Sequence, residues 1–158
     1  MTEAGKTIDV FMVAGEESGD QLGAHLMDAL VAMHEPGVRF RGLGGTRMEA
    51  RGLAPQFPMA DITLLGLTSI VAHIPRVLRR LRETVAAIAA EPPDVLVLID
   101  SQGFNARVAR AVRKLMPDLP IVLYVSPSVW AWRPGRAQRL KGAVDHILGL
   151  LPFEPEVH

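Results

Sequence analysis

Three turns in this chain carry side chains with chemistry to offer. The first, Gly15-Glu16-Glu17-Ser18-Gly19-Asp20, gathers three carboxylates and a hydroxyl just after an apolar run, Ile8 to Ala14. Glycines 15, 19 and 23 lack the Gly-x-Gly-x-x-Gly spacing, and the acids would repel a pyrophosphate at a helix start. Recognition of hydroxyl groups fits this turn, as does plain helix capping by Ser18, and the two readings weigh equally. The second turn, Asp100-Ser101-Gln102-Gly103-Phe104-Asn105, ends the most apolar run of the sequence. A carboxylate there can take a proton from a ligand hydroxyl; the plainer reading is an aspartate that caps the next turn. The third, Val125 to Arg136, holds both tryptophans, Trp130 and Trp132, among prolines, serines and arginines. Indole faces beside hydroxyls and guanidinium groups suit a sugar or an amphiphilic phosphate better than a metal or a redox centre. Two tryptophans can also be simple core, although prolines and arginines interleaved so densely argue against that.

These turns need a scaffold, and the periodicity of the chain supplies one. Ile8 to Ala14, Val38 to Leu43, Asp94 to Asp100, Ile121 to Val125 and His146 to Leu151 read as strands, with a weak extended segment near Ala54 to Phe57. Asp94 to Asp100 is apolar without alternation, the mark of a strand covered on both faces. Between the strands, Leu22, Leu26, Ala29, Leu30 and Met33 recur at helical spacing, preceded by a Ser18-x-x-Gln21 capping box. A second helix is expected from Pro75, with Ile74, Val77, Leu78, Leu81, Val85 and Ile88 on one face. A third follows Asn105 as its cap, with Val108, Ala109, Val112, Leu115 and Met116 turned inward. Alternating strands and helices predict an α/β fold: an open, doubly wound, mostly parallel sheet of the Rossmann-like kind in one domain over residues 1–158. The chain stops just after its last strand, as at a boundary between domains.

Composition removes several classes of function. With 49% apolar and 22% charged residues the chain has the make-up of a soluble globular domain. It contains no cysteine, which excludes disulfides, thiolate nucleophiles and thiolate-bound metals. Its histidines show no metal-ligand spacing, so no metal is expected. The start of the chain does not read as a signal peptide, and no apolar run nears the roughly 20 residues needed to span a bilayer. The zero net charge conceals a division: His73 to Lys141 carries 12 of the 17 basic residues and only five of the 17 acids. Within it, the apolar segment from Ile62 merges into the arginine-bearing stretch to Arg82. Such a segment is ordinarily core beside a solvated face, but it also suits an anionic membrane surface or a lipid phosphate.

Taken in order, Val13 to Asp20, Gly42-Leu43-Gly44-Gly45, Asp100 to Asn105, Tyr124 to Trp132 and Leu151-Pro152-Phe153-Glu154 resemble the lipid A disaccharide synthase family. The serine-proline-serine-x-tryptophan-alanine-tryptophan segment is highly specific. The resemblance implies the N-terminal, acceptor-side half of a GT-B-type glycosyltransferase. Such an enzyme joins UDP-2,3-diacylglucosamine to 2,3-diacylglucosamine 1-phosphate through a β-1,6 bond and releases UDP. It works without a cofactor, at the cytoplasmic face of the inner membrane of Gram-negative bacteria, with no nucleic acid as partner. By the same resemblance Asp100 is the catalytic base. Ser18, Asp20, Asn105, Ser126, Trp130, Trp132 and Arg133 bind substrate, and Leu64, Leu65, Leu67, Ile70, Arg76, Arg79 and Arg80 meet membrane or acyl chains. The C-terminal nucleotide-sugar domain is absent from this sequence, so the 158 residues alone are expected to be inactive. Two other readings remain open at this point: a non-catalytic membrane-associated binding module, and a nucleotide-dependent oxidoreductase or epimerase domain.

Overall fold

In the computed structural model the described residues are 5–34, 37–63, 70–100, 102–124, 140 and 142–149. Their strands are β1 (Ile8–Ala14), β2 (Val38–Leu43), β3 (Ala54–Pro55), β4 (Val95–Ile99), β5 (Ile121–Tyr124) and β6 (His146–Leu148). The helices are α1 (Glu17–Met33), α2 (Thr46–Glu49), α3 (Ile70–Ala90) and α4 (Gln102–Leu115), with a 3-10 turn at Met59–Asp61. The strands form one six-stranded sheet in the order β3-β2-β1-β4-β5-β6, and every adjacent pair is parallel. This is the doubly wound, Rossmann-like arrangement that the alternation of elements predicts. Its strand order reverses between β1 and β4, and a crevice opens at such a point beyond the carboxyl ends of the strands.

The two central strands are apolar without a break because both of their faces are covered. Phe11 and Val13 of β1 and Leu96 and Leu98 of β4 pack with Ile88 of α3 and with Val108 and Val112 of α4. The alternate residues, Val10, Met12 and Ala14 of β1 and Val97 and Ile99 of β4, pack with Ala24 and Met27 of α1 and with Met48. Each such aliphatic side chain taken out of water contributes roughly 1.5–3 kcal/mol. β2 passes close beside β1. At Gly42, whose φ is +131°, a Cβ would lie 2.1 Å from the Met12 carbonyl oxygen, so only glycine fits.

Several boundaries and faces differ from the sequence expectations. α1 starts at Glu17 with Glu16 as its N-cap residue, so Ser18 lies inside the first turn and is not the cap. Its buried residues are Gly19, Asp20, Gly23, Ala24 and Met27. Leu22, Leu26 and Leu30 of the expected face pack partly buried against the same core, with Leu26 and Leu30 bordering an apolar groove of about 280 Å³ with Val95, Val97 and Val122, while Ala29 and Met33 are exposed. α3 begins at Ile70 and carries Pro75 within it. A proline there loses one backbone hydrogen bond, and the packing of Val77, Leu81, Val85 and Ile88 on the core offsets the loss. Ile74 and Leu78 of the same helix stay exposed. Leu115, expected inward, is also exposed, because α4 turns Val108, Ala109 and Val112 to the sheet. Asn105 lies inside α4 rather than at its cap.

β2 is fastened to β1 by charge. Arg41, 5% exposed, donates to both carboxylate oxygens of Asp9 at 3.0–3.1 Å and to the Glu91 carbonyl, with its guanidinium 5.3 Å from the centre of the Phe11 ring. Of the two arginines of β2, Arg39 is exposed and Arg41 is buried.

Candidate active site

The sheet brings the turn after β1 and the turn after β4 together at the switch point. Asp100 follows β4 directly and has φ +51°, the only positive φ of a non-glycine residue among those described. Aspartate tolerates this left-handed conformation better than most residues, but it still costs on the order of 1–3 kcal/mol. A strand that enters a helix through such a strained turn lifts the intervening side chain above the sheet edge, the geometry used to present nucleophiles elsewhere.

The turn is gripped from three sides. The Asp100 amide donates to the Tyr124 carbonyl of β5 at 3.2 Å. Asn105 Nδ2, on a side chain 1% exposed, donates to the carbonyls of Asp100 at 2.7 Å and Ile99 at 3.1 Å, and more weakly to that of Val13 at 3.5 Å. Asn105 thus ties the ends of β1 and β4 to α4. Its Oδ1 is buried without a hydrogen-bond partner among the described residues. Across the crevice, Ser18 Oγ donates to Asp100 Oδ2 at 3.1 Å. Ser18 thus turns to the crevice, and the N-cap position is held by Glu16 without a side-chain hydrogen bond.

Asp20 has a different setting. It is 3% exposed, and its carboxylate accepts from the backbone amides of Gly45 (2.9 Å), Met48 (3.0 Å) and Arg47 (3.1 Å). The glycine pair after β2 allows this approach: a Cβ on Gly45 would sit 2.7 Å from Asp20 Oδ2. The acid therefore locks the loop after β2 onto α1. Thr63, which sequence reading passed over, locks the next loop. Its hydroxyl donates to the Gly15 carbonyl at 2.7 Å. No spacing rule reveals that bond, because its partner lies 48 residues away.

Beside these contacts a cleft of about 500 Å³ opens among the carboxyl-end loops, lined by Glu17, Thr46, Arg47, Glu49, Pro58 and Met59. Exposed carboxylates, a hydroxyl and a guanidinium over a methionine suit a ligand rich in hydroxyl groups. Glu17 belongs to the same helical turn as Ser18, so the cleft and the Ser18–Asp100 pair share a wall.

A sequence profile described as lipid-A-disaccharide synthetase matches residues 10–158. The chain belongs to that family. It is 52% identical over 155 residues to the lipid-A-disaccharide synthase of Nitrobacter hamburgensis, covering 98% of this chain and 39% of that protein. It is 51% identical over 147 residues to the synthase of Bradyrhizobium diazoefficiens (93% and 38%) and 48% identical over 152 residues to that of Ruegeria pomeroyi (96% and 37%). The chain thus spans about two fifths of the length of the curated relatives it matches.

Of the site residues expected in this family member, the structure joins Ser18, Asp100 and Asn105 and sets Asp20 one loop away. Ser126, Trp130, Trp132 and Arg133 lie outside the described residues, as do Leu64, Leu65 and Leu67, and nothing is described of the Ile70 side chain. On α3, Arg76 is exposed without a carboxylate partner among the described residues. Arg79 pairs with Glu83 at 2.9 Å. Arg80 is drawn inward between Asp61 and Glu83, with its guanidinium 4.5 Å from the centre of the Phe57 ring. The Arg80 and Arg79 guanidinium groups hold the Glu83 carboxyl below its ordinary pKa. No helix among the described residues is long and apolar enough to cross a membrane.

Proposed function

We propose that this chain is the acceptor-side domain of a lipid A glycosyltransferase in which Asp100 is the general base. In the relatives' remaining length we place the domain that carries the nucleotide sugar. The reaction joins UDP-2,3-diacylglucosamine to 2,3-diacylglucosamine 1-phosphate. The acceptor's 6-hydroxyl oxygen attacks the anomeric carbon, the bond from that carbon to UDP breaks, and the hydroxyl proton passes to Asp100. Ser126, Trp130, Trp132 and Arg133 belong to the acceptor side of the cleft in this scheme.

One observation carries the reading beyond family membership. Asp100 stands at the switch point on a left-handed turn, with Oδ2 bonded to Ser18 and Oδ1 without a partner among the described residues. A base needs a carboxylate oxygen within hydrogen-bond reach of the proton it takes, and this arrangement leaves one free. Asp100→Asn keeps the shape and the tolerance for positive φ while removing basicity. In the full-length protein that carries this segment, it should cut transfer roughly 10²–10⁴-fold with an unchanged melting temperature. Near-normal turnover by that variant would reject Asp100 as the base.

A further inference from the structure

The Ser18–Asp100 contact joins the turns after β1 and β4 at the switch point, and hydroxyl recognition does not explain it. Ser18 sits in the first turn of α1, where a serine ordinarily folds back onto a free helix amide. Here it reaches a carboxylate 82 residues further along the chain. α1 lies against the strand ends at Gly19, where a Cβ would be in van der Waals contact, 3.4 Å, with both the Ile99 carbonyl oxygen and the Ala14 Cβ. The Asp100 backbone is fixed independently by Tyr124 and Asn105. With the backbone held, one torsional freedom matters for proton transfer: the rotation of the carboxylate plane. Among the described residues, Ser18 is the one that hydrogen-bonds to that carboxylate.

We propose that Ser18 is a positioning residue for Asp100. Its hydroxyl occupies Oδ2, fixes the carboxylate plane and leaves Oδ1 as the acceptor presented to the crevice. No substrate contact is required of it. Orientation matters here because a misaligned acceptor forfeits the gain from proximity altogether.

The proposal rests on Asp100 being the base, and its test separates the two. Steady-state kinetics are measured on the full-length protein with Ser18→Ala, Asp100→Asn and both together. Ser18 is exposed, so alanine leaves the fold intact, and the melting temperature checks this. The expected result is a kcat lower by roughly 10–100-fold with KM for both substrates within about twofold. The double variant should be no slower than Asp100→Asn alone, since the serine acts only through the aspartate. A raised KM with kcat intact would make Ser18 a substrate ligand and overturn the proposal. So would an unchanged kcat, or additive losses in the double variant. If Asp100→Asn itself turns over normally, the base assignment falls first.

Discussion

Asp20 shows how a single buried acid can hold a functional edge in place. Its carboxylate is the acceptor for three backbone amides of the loop after β2 and the start of α2. Asp20→Ala leaves those amides without their side-chain acceptor. Hydrogen bonds to charged groups contribute roughly 1.5–3 kcal/mol each, and such losses add incompletely. The variant should therefore unfold with about 3 kcal/mol less stability, and Asp20→Asn, which keeps one oxygen, should lose less. Urea unfolding measures both; an unshifted midpoint for Asp20→Ala would remove the clamp from the account. Sequence spacing marked Ser18, Asp20, Asp100 and Asn105 as residues of interest, yet not their partners. Those partners come from loops 25 to 82 residues away for Asp20 and Ser18. Side-chain bonds across the sheet follow from tertiary packing and leave no local periodic signal.

At the scale of elements, strands were easier to read than helix starts. A strand covered on both faces needs an unbroken apolar run, so β1, β4 and β5 fall within a residue or two of their sequence readings. Helix starts depend on competition for a few polar groups. α1 begins one residue before its expected serine cap, with Glu16 as N-cap and no side-chain cap bond, and α3 runs back past Pro75 to Ile70 although the proline removes one backbone hydrogen bond. A comparable polar fastening joins β5, β6 and α4. Asp145 accepts from the Ile121 amide at 2.8 Å and pairs with Arg113 at 2.6 Å. The Ile121 amide, helped by the Arg113 guanidinium and opposed by partial burial, holds the Asp145 carboxyl below its ordinary pKa. A folded-state pKa lowered in this way adds stability above the unfolded value of about 3.9. That stability disappears as the pH falls through the folded value. Wild-type protein should melt higher than Asp145→Asn at pH 7, and the gap should close as the pH drops below about 4. Melting temperatures across this range decide it; a gap of constant size would mean that the charge of Asp145 does not contribute.

The whole molecule combines a crevice at the switch point with an uneven surface. Alternating strands and helices made the doubly wound class legible, whereas the strand order and the burial of Arg41 required the assembled sheet. The basic excess between His73 and Lys141 is also plain in the sequence, but the structure sorts it. Arg79 and Arg80 are matched by Glu83 and Asp61, while Arg76 and Arg82 have no carboxylate partner among the described residues. They share α3 with Ile74 and Leu78, which are 46% and 36% exposed. Exposed aliphatic side chains and unmatched arginines along one helix have the make-up of a segment that rests on anionic lipid, where each cation contributes about 1 kcal/mol. The protein should therefore float with vesicles containing phosphatidylglycerol and release as salt screens the contact. Arg76→Glu with Arg82→Glu replaces two attractive charges by two repulsive ones, about 4 kcal/mol in all on that scale, and should abolish flotation at physiological salt. Arg80 is left unchanged because its reversal would break the contacts to Asp61, Glu83 and Phe57 and confuse loss of binding with loss of fold. If the double reversal floats as well as the wild type, the arginines are only the solvated face of α3, and any membrane contact must lie elsewhere.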